Sequence, residues 1–212
     1  MRKKCRWNMN YIKYPRTQHL PWSEGISSDD RVLKDTKHFE NKTVIVTEKM
    51  DGENTTMYNN GIHARSLSSV NHGSRTWVKS LHSKICSNIP NGWRIVGENL
   101  FAKHSIHYKD LKSYFLVFGI YNDNECLCWD DTIEYCAVLG LETVPVLYRG
   151  PYNEDIIKQC YRKQDQEGYV LRLDTFKYED FSKSVAKFVR KNHVQTSSHW
   201  MNEKIVQNLI GK

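Results

Sequence analysis

The run Glu48-Lys49-Met50-Asp51-Gly52-Glu53-Asn54 places a lysine at the end of a β-branched apolar stretch. A carboxylate, a glycine and a second carboxylate follow it. A lysine amine attacks an electrophile only when neutral, and its ordinary pKa is about 10.4, so burial or nearby cations must lower it. Gly52 lets the backbone turn tightly and approach a ligand. Taken alone, the same residues suit a solvated strand end with Lys49 and Asp51 as surface charges, because a KxDG tetrapeptide is common by chance. Further on come Arg65, then Glu98 in Val96-Gly97-Glu98-Asn99 and Phe118 in Phe115-Leu116-Val117-Phe118. Glu167 follows in Glu167-Gly168-Tyr169-Val170, and Lys187 in Ala186-Lys187-Phe188. Singly these are ordinary: a Phe in an apolar strand is core, Arg65 a surface charge, Asn54 a turn former.

The cysteines and histidines offer less. Cys5, Cys86, Cys126, Cys128, Cys136 and Cys160 contain no CxxC pair. They read as free thiols in a reducing compartment. His104 and His107 could share one helical face, but a local structural role suits them better than a metal pair.

These residues need a frame. Thr43–Glu48 reads as a buried strand, and Asn59-Asn60-Gly61 as the turn of a hairpin joining Thr55–Tyr58 to Ile62–Arg65. Further strands are expected at Trp93–Val96, Tyr114–Tyr121, Val144–Leu147, Gly168–Leu173 and Ser184–Val189. Helical spacing marks Arg75–Ile89, Thr132–Leu139, Asn153–Arg162 and an amphipathic tail from Ser197 to Ile210. Hairpins without regular βαβ alternation predict an α+β fold, mainly antiparallel sheets flanked by helices. Neither GxGxxG nor GxxxxGK[ST] is present, so dinucleotide and P-loop fingerprints are excluded.

The 212 residues read as one domain, 1–212, with an irregular segment over 1–40 and a short helical extension over 191–212. A 39% hydrophobic and 26% charged composition excludes coiled-coil, collagen-like and wholly disordered chains. No apolar run approaches the roughly 20 residues that span a bilayer. The basic start MRKKCRWNMNYIKYP lacks the apolar stretch of a secretory signal, which predicts a soluble, intracellular (cytoplasmic) protein. Lys+Arg 31 against Asp+Glu 24 gives a formal charge of +7 and favours a polyanionic partner. An aromatic share of 12% offers faces on which bases could stack.

The ordered series KxDG, GE, FxxF, EGxV and a final strand lysine resembles motifs I, III, IIIa, IV and V of the covalent nucleotidyltransferases, the superfamily of ligases and mRNA capping enzymes. The first motif, EKxDGxN, is most similar to the ATP-dependent RNA ligases of the RNA ligase 2-like group. Gly97-Glu98-Asn99-Leu100-Phe101-Ala102-Lys103-His104-Ser105-Ile106-His107-Tyr108 strengthens that likeness. The resemblance covers Thr43 to Arg190, and five ordered motifs are far more specific than one. It implies an ATP-grasp-like nucleotidyltransferase (adenylation) domain with a nucleotide cleft between sheets, using ATP and Mg²⁺.

In that reading Lys49 attacks the α-phosphorus of ATP and holds AMP as a phosphoramidate. AMP then passes to an RNA 5′-phosphate, and an RNA 3′-hydroxyl displaces it, in RNA repair or end-joining. The resemblance gives Lys187 the α-phosphate, Asp51, Glu98 and Glu167 the nucleotide and Mg²⁺, and Phe118 the adenine face. Arg65 falls to the ribose or nucleic-acid end, Glu48 to the adenine amino group, and Asn54 to the RNA ends. The family's last motif usually carries two lysines one residue apart. Here Lys187 lacks such a partner, so Arg190 or Lys183 shares the role, or one contact is missing. With no oligonucleotide-binding barrel or NAD-specific module expected, ATP is favoured over NAD. RNA is then gripped by a basic surface drawn from Arg2, Lys3, Lys4, Arg75, Lys79, Lys84, Lys103, Arg190 and Lys191. A capping guanylyltransferase, a minimal DNA ligase and a catalytically silent nucleic-acid-binding relative are the alternatives.

Overall fold

The computed structural model describes residues 11–68, 71–161, 166–193 and 205–211. In chain order the strands are β1 (Gln18–His19), β2 (Thr43–Lys49), β3 (Glu53–Tyr58), β4 (Gly61–Ala64), β5 (Trp93–Asn99) and β6 (Phe115–Asn122). They continue with β7 (Glu125–Cys126), β8 (Glu142–Thr143), β9 (Val146–Pro151), β10 (Gly168–Leu173), β11 (Phe176–Lys177) and β12 (Val185–Val189). The helices are α1 (Thr76–Ile85), α2 (Trp129–Leu139), α3 (Glu154–Lys158) and α4 (Phe181–Ser184).

Two sheets result. One has five strands in the order β1-β12-β10-β2-β9; the other has seven, along β11-β7-β6-β5-β3-β4 with β8 beside β6. Pairing is antiparallel except at β1–β12 and β6–β8, so the α+β expectation holds. No helix among the described residues is long and apolar enough to cross a membrane.

Burial on both faces explains the near-continuous apolar strands. On β2, Val44 and Val46 pack outward with Tyr169, Leu171 and Phe188, whereas Ile45 joins Leu100, Leu116 and Trp129. The second sheet rests Ile95, Val117 and Ile120 on Val78 and Ile85 of α1 and on Cys136 and Leu139 of α2. Each such side chain contributes about 1.5–3 kcal/mol when fully buried.

Several boundaries move. The α1 helix stops at Ile85, and a 3₁₀ turn over Cys86–Asn88 carries the chain towards Pro90. The α2 helix begins three residues early because Asp174 Oδ1 accepts from the Trp129 N–H and Cys128 Sγ from that of Asp131. The α3 helix, capped by Asn153, ends at Lys158. Of the strand expected at Val144–Leu147, only Val146 and Leu147 are in one, β9, while Val144 and Pro145 lie between β8 and β9. Ser184 closes α4 instead of opening β12.

The expected tail helix is corrected where it is visible. Residues 205–211 are extended, with bridges from Gln207 to Ala102 and from Ile210 to Leu111. Buried Asn208 donates to the Leu100 carbonyl, a long-range anchor that a local helical pattern does not reveal. The rest of that span, with Arg2, Lys3, Lys4 and Cys5, lies outside the described residues. The other five cysteines are free thiols.

Candidate active site

A cleft of about 730 Å³ is lined by strands of both sheets, within the range of small-molecule sites. Strand alternation explains which residues reach it. On β2, Thr47 and Lys49 face the cleft; on β10, Val170 and Arg172; on β12, Val185 and Lys187. Asn54, Glu98 and Phe118 enter from β3, β5 and β6 of the other sheet. Glu48, Asp51, Arg65 and Glu167 line it as well.

The signature glycines permit this convergence. A Cβ on Gly52 would lie 2.5 Å from the Asn99 carbonyl oxygen, and one on Gly97 would lie 2.6 Å from that of Leu116. Gly97 also sits at a register shift between β5 and β6. Any side chain there would push the strands apart and move Glu98 with them.

Lys49 reaches solvent through the cleft, and its Nζ lies 2.6 Å from Glu167 Oε1. Burial pushes the ammonium's pKa down, but the charges of Glu167, Glu98 and Asp51 outweigh it and hold it above the ordinary lysine value. The free protein therefore keeps this amine protonated, contrary to the neutrality that attack needs. Glu98 behaves in the opposite way. Burial raises its pKa against the pull of Lys49, and Glu167 and Asp51 add to the rise, which reaches about 8.

That shift has a stability consequence. The folded carboxyl keeps its proton up to about pH 8, whereas the unfolded one releases it near 4.5. The folded state binds the extra proton across that window, so this contribution is complete below it and is lost as pH rises through it. Thermal midpoints of the free protein should fall across the window, and Glu98→Gln should flatten the slope. An identical slope in the variant would remove Glu98 as its source.

Asp51 is braced rather than free. Its Oδ2 accepts from the Ser105 N–H (2.8 Å), the Ser105 hydroxyl (2.6 Å) and the Ile106 N–H (2.7 Å). Burial opposes ionisation, but the hydrogen bonds, led by His193 and then Ser105, hold the carboxyl well below the usual carboxylate range. His193 carries no signature in the sequence. Its Nε2 lies 3.3 Å from Glu167 Oε1 and 3.7 Å from Asp51 Oδ1, with the side chain 1% exposed.

Asp51, Glu167 and His193 form the group of metal-capable side chains among the described residues, their ligand atoms within 4.8 Å of one another. Glu98 stands outside that group. Glu167 Oε2 is buried with no hydrogen-bond partner, which suits a cation ligand. Two carboxylates are hard oxygen donors of the kind Mg²⁺ and Mn²⁺ take, while an imidazole is a less usual ligand for either.

Other expectations meet a mixed outcome. Phe118 lines the cleft, its ring 5.3 Å from that of Tyr14 in an edge contact. Asn54 Oδ1 is buried without a hydrogen-bond partner. Arg190 is not among the cleft-lining residues; its backbone N–H donates to the Glu167 carbonyl. Lys183 lies exposed on α4, so it cannot share a strand face with Lys187. Arg75 makes a paired guanidinium–carboxylate contact with Glu53, which engages the charge expected to face phosphates. His107 Nε2 meets the Gln207 carbonyl, and neither it nor His104 is helical.

The RNA ligase family model matches residues 42–189. The chain belongs to the RNA ligase family. Among solved structures, a Naegleria gruberi RNA ligase with pyrophosphate matches at TM-score 0.52 and 18% identity, over 86% of this chain and 61% of that one. A lysine-to-alanine variant of that ligase with ATP and Mn matches at 0.51 and 15%, over the same shares. An Aquifex aeolicus protein provisionally assigned as an ATP-dependent DNA ligase matches at 0.50 and 21%, over 71% of this chain and 44% of that one. At these identities the likeness speaks for the fold, and the chain spans less than two thirds of each of them. Comparison with curated proteins finds no match.

Proposed function

We propose that this RNA ligase family chain is an ATP-dependent RNA ligase that uses Lys49 as a covalent nucleotidyl carrier. One observation carries the reading: the Lys49 amine stands in a deep cleft with Lys187 and Arg65, ion-paired to Glu167 and ringed by Glu98 and Asp51. Cations and carboxylates gathered in one cavity suit a polyphosphate bound together with a divalent metal.

The amine of Lys49 attacks the α-phosphorus, the bond to the bridging oxygen breaks, and pyrophosphate leaves. The attacking nitrogen, an ammonium in the free protein, gives up two protons to solvent and keeps one N–H, and AMP stays on it as a phosphoramidate. Attack requires the Lys49–Glu167 ion pair to loosen, since that pairing keeps the nitrogen protonated and its lone pair tied up in an N–H bond. Mg²⁺ or Mn²⁺ held by Glu167 and Asp51, with His193 beside them, would supply charge neutralisation at the phosphates. Lys187 offers its ammonium to the α-phosphate, and Arg65, which lines the cleft from the other sheet, serves ribose or the next phosphate. Phe118 and Val170 present apolar surface to adenine, and Glu48 lies in reach of its edge. Adenylate then moves to an RNA 5′-phosphate and is displaced by a 3′-hydroxyl, the chemistry of RNA end-joining and repair.

Mass spectrometry after incubation with ATP and Mg²⁺ tests this. One added adenylate, mapped to Lys49, is the expected result. Label from GTP but not ATP would make the chain a guanylyltransferase, and joining of DNA in preference to RNA would make it a DNA ligase. No label from any nucleotide would leave only nucleic-acid binding.

A further inference from the structure

We infer that Asp30 is a positioning residue for Lys187, so that the segment before the first long strand is a working wall of the cleft. This rests on the ligase reading above and adds to it a residue outside the matched span, which begins at residue 42.

The geometry starts from β1. Gln18 and His19 pair in parallel with Ala186 and Lys187, and the Leu20 N–H donates to the Lys187 carbonyl at 2.7 Å. The chain then loops out and returns, tied to β1 by His19 N–H to the Arg31 carbonyl (2.7 Å) and Leu33 N–H to the His19 carbonyl (2.8 Å). Asp30 sits at the tip of that return, its side chain 10% exposed. Its Oδ2 accepts from the Ser27 N–H (3.1 Å) and the Ser27 hydroxyl (2.6 Å). Oδ1 is left to face Lys187 Nζ at 3.6 Å. Strand β1, paired with the strand that carries Lys187, and a braced turn bridged to β1 thus fix one carboxylate oxygen against the amine.

Charge supports the geometry. His19 is fully buried, with Nδ1 2.8 Å from Ser23 Oγ and Nε2 3.3 Å from Asp30 Oδ2. Burial, then Lys187, push its pKa down to about 4, so at neutral pH it carries no charge to compete for Asp30. Asp30 stays ionised: against the cost of burial, its Ser27 hydrogen bonds and Lys187 bring it down to about 2, with His19 adding only below about pH 4, where the imidazole is charged. Lys187 faces Lys49, Arg65, Glu167 and Asp30. Burial and Lys49 press its ammonium towards neutrality, and Asp30 is the carboxylate that opposes them within 4 Å. An amine that must neutralise a phosphate is useful only while charged. Asp30 therefore does two jobs, aiming the side chain and keeping its proton on.

The test is the pH profile of adenylate formation by the full chain, compared with Asp30→Asn. Losing an opposite charge this close should move the alkaline limb down by about one pH unit or more. Loss by the same factor at every pH would make Asp30 scaffolding only, and an unchanged profile would remove it altogether; either overturns the inference. Should Asp30→Asn fail to fold, Ser27→Ala removes the 2.6 Å brace and should move the limb in the same direction by less; no movement there overturns it too. An NMR titration of the Lys187 amine in the free protein reads the same shift without any activity. Absence of adenylate in the wild type would thus sink the ligase reading, while an unmoved Lys187 titration would sink this one.

Discussion

Lys49→Ala should abolish adenylate formation, with a loss of about 10⁴-fold or more, while the folded protein survives. Removing the atom that forms the bond leaves only positioning and charge effects, and nucleophile deletions cost that much where a covalent intermediate is obligatory. The fold should tolerate it because Lys49 ends its strand and reaches the cleft, whereas the apolar anchors of β2 are Val44, Ile45 and Val46. The same variant, given RNA already carrying a 5′-adenylate, should still seal it, since that step needs no new phosphorus–nitrogen bond. Measuring both reactions separates chemistry from folding. Sealing from ATP at an undiminished rate would take Lys49 out of the mechanism.

Asp51→Ala should cost about 3–5 kcal/mol, because it leaves buried donors facing an empty space. The Ser105 N–H, the Ile106 N–H and the Ser105 hydroxyl all converge on Asp51 Oδ2. For a domain of this size, that loss lowers the thermal midpoint by roughly 10 °C. The pH dependence has a definite sign. The folded carboxyl is held below its unfolded value of about 3.8, so its contribution is complete above that value. It is lost as pH falls further, towards the depressed folded value. Wild type should therefore lose an acid-sensitive contribution that the variant lacks. A midpoint within about 2 °C of wild type would show that the 105–106 turn stands without Asp51.

The two variants also divide the site by role. In the proposed mechanism Lys49 does chemistry on a frame that other residues hold, whereas Asp51 is itself part of the frame. Its carboxylate is spent mainly on the loop carrying Ser105 and Ile106, leaving only Oδ1 towards Glu167 and His193. An acidic residue two positions after the proposed nucleophile can thus matter greatly for activity through positioning, even before any metal contact is considered.

Much of this was legible along the chain. The β-branched run ending in Lys49 had to be a strand, because Val, Ile and Thr fit a pleated surface buried on both sides. The hairpin at Asn59-Asn60, the Gly168–Leu173 strand and the order of lysines and carboxylates required only neighbours two or four positions away. The RNA ligase family and the identity of Lys49, Glu98, Glu167 and Lys187 as cleft residues followed from that order.

Tertiary structure alone decided the rest. His193 meets Asp51 across 142 positions, and Asp30 meets Lys187 across 157. No local periodicity encodes such pairs. Lys183 falls outside the strand that carries Lys187 because the chain there makes one turn, α4, with Phe181 packed among Phe176 and Val185. Residues 11–33 look irregular because they form little secondary structure of their own, yet they supply the wall beside Lys187. Spacing specifies which face of a strand a side chain takes; which distant carboxylate it meets depends on how two sheets close over a common cleft, and that is a property of the folded chain.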